Sequence, residues 1–435
     1  MISKSEFSLR RKQLMKSIGK NGIAIVPAAP EKLRNSDADY LYRPDSDFFY
    51  LSGFAEPEAL LILIPGRSEG QYVLLCRERD PAMETWTGRR AGLDGAIEEY
   101  GADQAYPIDH ADEILPRLIE GRERVFFAFG NDETFDAKLM SWVNIVRKKA
   151  RTGVQAPQEF VTLNHLLHEM RLIKSRGEIN VMRRAAEIAA EAHCRAMKMC
   201  RPDIEEFKVE AELLHTFRSY NCHPAYNSIV GSGANACVLH YVENNAQLKD
   251  GELLLIDAGA EYNFYASDIT RTFPVNGKFS PEQKALYELV LESQLAAIKC
   301  VKPGNHWNKP HDAAVRVLTK GLIELGILKG ELNKLIKDGA YRPYYMHRTG
   351  HWLGMDVHDV GEYKINGKWR DLQPGMVLTV EPGLYIPAGS KGVAKKWWDI
   401  GIRIEDDVLV TKSGNDVLSK DVPKSVRDIE ELMAV

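Results

Sequence analysis

The sequence has few cysteines, and they follow no pattern that would bind a metal or build a disulfide framework. Only six occur among 435 residues, and no two form a Cys-x-x-Cys pair. Cysteine-based zinc sites and the disulfide frameworks of small secreted proteins both need closely spaced cysteines. We therefore interpret these cysteines as small core residues or free thiols in a reducing compartment.

Long hydrophobic runs and a large excess of charge are also missing. No apolar run approaches the roughly 20 residues that cross a bilayer. A net charge of −4 gives no general attraction to nucleic acid or to an anionic membrane. The basic residues 1–20 contain no apolar signal-peptide core and lead directly into a strand-like segment. We interpret them as a surface helix and expect a cytoplasmic protein.

The length of the chain predicts two domains, because 435 residues are more than a single domain with one core usually contains. Residues 1–170 alternate short apolar runs with helical patterns, which predicts an α/β domain with a mixed sheet. Residues 171–435 combine long helical patterns with strands that carry acidic residues, and this arrangement occurs twice. Here the sequence predicts an α+β domain with a loose internal duplication.

Carboxylates stand at the ends of apolar, strand-like runs in the second half of the chain. They are Asp257, Asp268, Glu381 and Glu405. A buried carboxylate is costly without a compensating positive charge, and neighbouring carboxylates raise each other's pKa unless a cation lies between them. Any one of them could cap a turn or pair with Arg271 or Arg403. Four together exceed what these arginines neutralise, which favours a metal site.

Histidines are concentrated in the stretch "HRTGHWLGMDVHD", residues 347–359. Two glycines argue against a helix, although His347 and His351 are four residues apart. In a straight strand His351 and His358 would face opposite sides. The stretch therefore predicts one metal ligand together with histidines that act nearby. Four carboxylates and one histidine favour Mn²⁺, Co²⁺ or Zn²⁺ and suit a two-metal site.

The order of these residues resembles the five-ligand signature of the pita-bread metallopeptidase family, which includes methionine aminopeptidase, prolidase and aminopeptidase P. The likeness is strongest to the aminopeptidase P group. It is carried by "HWLGMDVHDVG", "TVEPGLYI", "GIRIEDDVLVT" and the N-terminal "RNSDADYLYRPDSDFFYLSGFAEPEALLIL". It implies a pita-bread catalytic domain, with a pseudo-two-fold antiparallel sheet covered by helices, over residues 171–435. Residues 1–170 would restrict substrate length and form oligomer contacts.

The resemblance also implies a role for each ligand. Asp268 and Glu405 would bridge two divalent ions, with Mn²⁺ the first expectation. Asp257 would bind one ion, and His351 with Glu381 the other.

The implied reaction removes an N-terminal residue that precedes proline. A metal-bridging hydroxide would attack the Xaa-Pro carbonyl carbon, and Glu381 would accept a proton. His240 and His358 match catalytic histidines of the family. His347 and Arg403 match further positions near the substrate and the ligands, and Trp86 is a candidate for contacting the site of a neighbouring subunit, since family members form dimers or tetramers.

Two alternatives remain open at this point. A prolidase would use the same ligands but cleave only Xaa-Pro dipeptides, and Arg348 could bind the free carboxylate of such a substrate. A metal-free peptide-binding module would have the fold without the chemistry, although the intact ligands argue against it.

Overall fold

The computed structural model describes residues 2–434 of the chain. They divide into two compact units, one spanning Ile2–Met170 and the other beginning at Arg171. Each unit has its own sheets and its own hydrophobic core, so each is described by itself.

The N-terminal unit is built on a six-stranded sheet. In spatial order its strands are Gln104–Pro107, Tyr72–Cys76, Leu60–Leu63, Gly22–Pro27, Arg124–Phe127 and Glu159–Thr162. The strand Leu60–Leu63 pairs antiparallel with both of its neighbours, whereas the remaining pairs are parallel. The predicted mixed sheet is therefore confirmed.

Helices and one hairpin complete this unit. The α-helices are Lys4–Ile18, Ser46–Ser52, Pro81–Thr87, Gly92–Glu98, Ala111–Ile119 and Glu133–Lys148. Short 3-10 helices cover Ile108–His110 and Ala150–Thr152, and Leu33–Asn35 pairs with Ala38–Asp39. Val, Ile and Leu side chains of the strands pack against Ala111–Ile119 and Glu133–Lys148 to form the core.

The second unit combines long helices with short strands. Its α-helices are Arg176–Met199, Glu206–Ser219, Pro281–Cys300, Lys309–Glu324, Leu332–Asp338 and Val426–Met433. The helix Asn164–Leu172 lies mostly in the N-terminal unit and ends two residues beyond Met170. Arg176–Met199 and Pro281–Cys300 both begin with a capping box, in which a serine hydroxyl and the side chain three residues later satisfy backbone N–H groups reciprocally.

Two antiparallel three-stranded sheets carry the acidic residues of the second unit. The first contains Ile229–Ser232, Leu253–Asp257 and Thr270–Pro274, and the second contains Val377–Val380, Asp406–Val410 and Asn415–Val417. Smaller pairings join Gly383–Ile386 to Ile400–Arg403 and Lys364–Ile365 to Lys368–Trp369. His223–Pro224, Ala260–Tyr262 and Tyr265–Ala266 form a further small sheet, and the 3-10 helices are Gly233–Cys237 and Lys395–Trp397. The predicted duplication of acid-bearing strands appears as these two sheets.

Buried side chains from the long helices and from the first sheet form one large core in this unit. Side chains of the second sheet, among them Leu378, Val380 and Val408, belong to a separate buried cluster. Among residues 2–434, no helix combines the length and the apolar character needed to cross a membrane.

Candidate metal and substrate site

A cavity of about 1050 Å³ in the second unit collects nearly all of the residues singled out in the sequence. Those that line it are His240, Asp257, Asp268, His347, His351, His358, Glu381, Arg403 and Glu405. Trp86 belongs to the N-terminal unit, in the helix Pro81–Thr87, where its side chain is 86% exposed. Its contact with a neighbouring subunit stays a prediction.

Strand register brings the two aspartates together. Asp257 ends its strand opposite Thr270, which follows Asp268 by two residues. The chain returns between them through the hairpin of Ala260–Tyr262 and Tyr265–Ala266.

The two glutamates meet in the same way in the second sheet. Val380 pairs with Asp406, so Glu381 and Glu405 are neighbours across the end of this strand pair. The Glu405 N–H donates to the Thr270 carbonyl oxygen at 3.0 Å, which connects the two sheets. The four carboxylates therefore gather where the sheets meet.

Burial of these carboxylates is electrostatically expensive. Burial raises the pKa of Glu405 well above its ordinary value, and the nearby Asp268 and Glu381 raise it further. Burial likewise raises the pKa of Glu381 to about 7 and raises that of Asp257. A divalent cation among them would reverse this penalty, because it favours the ionised form of every carboxylate around it.

His351 presents a ligand atom to this cluster. Its Nε2 lies 3.3 Å from Asp268 Oδ2 and 3.7 Å from Glu381 Oε1, and together with Asp268 and Glu405 it forms a group whose ligand atoms lie within 4.8 Å of one another. Its Nδ1 lies 3.0 Å from the Trp352 carbonyl oxygen, which only accepts hydrogen bonds. In its neutral form the ring therefore has its proton on Nδ1 and its Nε2 lone pair toward the carboxylates.

The pKa of His351 is also shifted by the negative charge of the neighbouring carboxylates. Burial alone would lower this pKa, but Asp268 and Glu381 raise it to about 9. Carboxylate oxygens with one imidazole nitrogen are a donor set that Mn²⁺, Co²⁺ and Zn²⁺ accept. The residues thus fit divalent metal ions.

Tyr226 joins the two aspartates through one hydroxyl group. This hydroxyl lies 2.6 Å from Asp257 Oδ1 and 2.5 Å from Asp268 Oδ1. Burial, with Asp257 and Asp268, raises the pKa of Tyr226 well above 10, so the phenol stays neutral and remains a donor. Tyr226 therefore fixes the separation of the two carboxylates.

Arg403 is buried beside the carboxylates and orders the groups around it. It donates from Nη2 to Asp257 Oδ2 at 2.6 Å and from Nη1 to the Tyr385 hydroxyl at 3.0 Å. The Tyr385 hydroxyl lies 2.9 Å from His347 Nε2, while His347 Nδ1 lies 2.8 Å from the Arg348 carbonyl oxygen. Because that carbonyl accepts the Nδ1 proton, Nε2 accepts from Tyr385.

His347 is held neutral in this chain of hydrogen bonds. Burial and the nearby Arg403 lower its pKa to about 3. At neutral pH His347 therefore lines the cavity as a polar, uncharged side chain.

The separation predicted for His351 and His358 is wrong. Residues 351–359 form no straight strand but bend tightly, and the two rings lie 4.3 Å apart at 76°. Strand parity does not apply where the chain bends, so both histidines face the same cavity. The side chains of His358 and His240 are exposed at the surface of this cavity. The part of the His358 ring that is buried, and then the charge of His351, lower the pKa of His358.

The pairing suggested for Arg271 with a site carboxylate is also wrong. Its Nη2 donates to Asp406 Oδ1 at 2.7 Å, and its Nη1 donates to the carbonyl oxygen of Glu405 rather than to the Glu405 side chain. Arg271 thus supports the backbone behind the site without neutralising a ligand.

Several polar neighbours of the carboxylates were not anticipated. The Thr270 hydroxyl donates to Glu405 Oε2 at 2.6 Å, and the Thr379 hydroxyl lies 3.4 Å from Glu381 Oε1. Each threonine is two residues from an acidic residue, so the two-residue period of strands could have indicated both. Tyr226 lies in an irregular segment, and no sequence pattern pointed to it.

Comparison with known proteins shows the family to which the chain belongs. Residues 180–412 match metallopeptidase family M24, and residues 7–127 match the N-terminal domain of aminopeptidase P. The chain belongs to metallopeptidase family M24. The resemblance seen in the sequence and the predicted pita-bread catalytic domain are both confirmed.

Individual relatives and solved structures show which members of this family the chain is similar to. The chain is 46% identical over 434 residues to the Xaa-Pro aminopeptidase of Escherichia coli (strain K12), which covers 99% of this chain and 98% of that one. The structure of Pseudomonas aeruginosa aminopeptidase PepP is 60% identical, with a TM-score of 0.99 over 100% of this chain and 98% of that chain. A zinc-substituted E. coli aminopeptidase P in complex with product is 46% identical, with a TM-score of 0.97 over 100% of this chain and 98% of that chain.

Proposed function

We propose that this protein is a dinuclear metal-dependent aminopeptidase that hydrolyses the bond between an N-terminal residue and a penultimate proline. The observation that supports this most strongly is the convergence of buried carboxylates on His351 inside one cavity. The relatives named Xaa-Pro aminopeptidase, which match this chain from end to end, support the choice of substrate.

The residues that would hold the metal ions are those that match the five-ligand signature of the family. Asp257, Asp268, His351, Glu381 and Glu405 would together hold two divalent ions. We propose Mn²⁺ first, with Co²⁺ or Zn²⁺ as substitutes that the same donors accept. When bound, such ions lower the pKa of water and polarise a peptide carbonyl.

The other residues of the cavity would bind the substrate and move protons. Glu381 is the proposed proton acceptor, because its carboxylate faces the cavity beside His351. His240 and His358, exposed at the same cavity, would donate hydrogen bonds to the developing oxyanion or to the leaving proline nitrogen. His347 and Arg403 would contact the bound peptide, and carboxylates not fully neutralised would attract its free amino group.

The N-terminal unit and the assembly belong to the same proposal. Residues 1–170 would limit substrate length and form contacts in a homodimer or homotetramer, in which Trp86 would reach a neighbour's site. We place the enzyme in the cytoplasm, in agreement with its unpaired, scattered cysteines.

Matched peptides test the proposed specificity. Cleavage of Xaa-Pro-Yaa should exceed cleavage of the same peptide with alanine in place of proline, and acetylation of the N-terminus should abolish cleavage. Equal rates for the proline and alanine peptides, measured with Mn²⁺ present, would contradict the proposal.

Prolidase activity is the second candidate, and the position of Arg348 favours it. This exposed guanidinium lies at the cavity, over the Trp369 ring at 5.4 Å, where it could bind the carboxylate of a dipeptide. Activity confined to Xaa-Pro dipeptides would establish this alternative.

A further inference from the structure

Glu206 is a buried carboxylate, outside the proposed ligand set, beside the loop that contains His240. It is the first residue of the helix Glu206–Ser219, and its exposed fraction is 0%. The loop comprises residues 233–245, between the strand Ile229–Ser232 and Ala246. Its middle residues Leu239, His240 and Val242 line the cavity.

Five hydrogen bonds converge on the Glu206 side chain. Oε1 accepts from the Ser232 N–H at 2.7 Å, from the Ser232 hydroxyl at 2.8 Å and from the Asn235 side-chain amide at 3.2 Å. Oε2 accepts from the Tyr241 hydroxyl at 2.8 Å and from the Ala246 N–H at 3.0 Å. One carboxylate therefore holds the beginning, the middle and the end of the loop.

The backbone of Glu206 adds to this attachment. Its N–H donates to the Ala246 carbonyl oxygen at 2.9 Å, so the helix start and the loop end exchange hydrogen bonds in both directions. Asn244 secures the same end, because its side-chain oxygen accepts from the Val230 N–H at 2.9 Å and its amide donates to the Ser228 carbonyl at 2.9 Å.

A carboxylate suits this position because it only accepts hydrogen bonds and has about four lone-pair sites. Glutamine has almost the same shape, but its NH₂ group would face donors at either Oε1 or Oε2. Buried donors would then lose their acceptor, which is costly because no water replaces it.

The His240 ring depends on this loop for its direction. The ring is exposed, so packing around it does not fix it, whereas Tyr241, the next residue, is buried and bonded to Glu206. We propose that Glu206 is a positioning residue for the peptidase reaction, which holds residues 233–245 so that His240 faces the cavity. This inference rests on the function proposed above.

A double-mutant cycle tests it. Glu206→Gln should lower kcat by about tenfold to a hundredfold, as expected when a reacting group is misplaced by about 1 Å. In a His240→Ala background the same change should alter kcat by less than about twofold, because its effect acts through the missing ring. If Glu206→Gln lowers kcat by the same factor in the His240→Ala background as in the wild type, the proposal is overturned.

The adjacent residue provides a matched control. Glu205→Gln makes the same chemical change one position earlier, where the side chain pairs with Lys208 at 2.7 Å on the surface. It should leave kcat unchanged, and all variants should keep the metal content of the wild type. If Glu206→Gln does not fold, Tyr241→Phe removes one of the hydrogen bonds to Glu206, and the same cycle decides.

Amide hydrogen exchange separates this inference from the proposed function. Residues 231–246 should exchange faster in Glu206→Gln than in the wild type and in Glu205→Gln. Unchanged exchange would overturn the loop anchor, whatever the activity. Faster exchange, combined with a wild type that cleaves no Xaa-Pro peptide, would overturn the proposed function and keep the anchor.

Discussion

At the scale of single residues, His351 and His358 differ although their rings are in contact. The Nε2 of His351 is directed at Asp268 and Glu381, and its Nδ1 is used by a carbonyl oxygen. His358 is exposed at the cavity surface. The first geometry suits the metal ligand proposed at His351, and the second suits the substrate contact proposed for His358.

Substitution of the two histidines should therefore have different consequences. We expect His351→Ala to lose bound metal together with activity. His358→Ala should keep its metal and lose about a hundredfold or more in kcat, as expected for loss of a group that transfers a proton or stabilises an oxyanion. Metal content and kcat should be measured on the same folded preparations, and loss of metal from His358→Ala would reverse the assignment.

Tyr226 permits a second test at this scale. Tyr226→Phe removes the hydroxyl that lies between Asp257 and Asp268 but keeps the ring. Metal affinity should fall by about tenfold to a hundredfold, because the two carboxylates lose the group that orients them. Metal titration followed by calorimetry measures this, with Tyr262→Phe as a control, and unchanged affinity would exclude an orienting role for Tyr226.

The individual residues of the site could be predicted to different degrees. Each acidic residue was recognisable because it follows or precedes a buried apolar run, where a charge without a purpose is costly. The position of His358 was not, since a bend cancels the alternation of a strand. Glu206 could not be anticipated either, because its partners come from residues 232–246, far along the chain.

At the scale of elements, residues 351–359 are held from behind by a buried group of charges. Asp359 lies 2.8 Å from the Lys174 ammonium and 2.6 Å from the Arg171 guanidinium, and the Asp359 and Lys174 side chains are each 1% exposed. The Asp359 N–H also donates to the Trp352 carbonyl oxygen at 2.9 Å. These contacts stabilise the bend on which His351 and His358 lie.

Removal of the Asp359 charge should be strongly destabilising. Asp359→Asn should lower the free energy of unfolding by about 3–5 kcal/mol, because it leaves buried positive charge uncompensated. The control is Asp356→Asn, which also removes a partner of Arg171 but from a side chain that is 37% exposed. It should cost less than about 1 kcal/mol. Denaturant unfolding compares them, and equal losses would contradict this account.

The same pair predicts a dependence on pH. Burial alone would raise the pKa of Asp359, but Lys174 and Arg171 lower it below its ordinary value. The stabilisation is therefore complete above the unfolded pKa of about 3.9 and is lost as pH falls through the lower folded pKa. Asp359→Asn should lose less stability over that acid range than the wild type, and parallel losses would argue against the pair.

The elements themselves were largely predictable. Helical patterns located the long helices of the second unit, and apolar runs located the acid-bearing strands. Their assembly was not predictable from pattern alone, because the pairing of Val380 with Asp406 joins segments separated by intervening turns. The strand register that places the four carboxylates together is set by the complete fold, so local sequence patterns do not reveal it.

At the scale of the whole molecule, the proposed role of residues 1–170 in limiting substrate length can be measured. If these residues admit peptides longer than two residues, kcat/KM for Xaa-Pro-Yaa tripeptides should equal or exceed that for Xaa-Pro dipeptides. A steady-state comparison of the two substrate lengths decides, and a strong preference for dipeptides would favour prolidase.

The central claim is that buried carboxylates and one histidine hold two divalent ions that make this chain a peptidase. The most direct measurement is titration of the chelated protein with Mn²⁺, with bound metal and Xaa-Pro-Yaa cleavage followed in the same samples. We expect the apoprotein to be inactive, and activity to return as about two ions bind per chain. Full activity after exhaustive chelation, with no metal found by elemental analysis, would contradict the account.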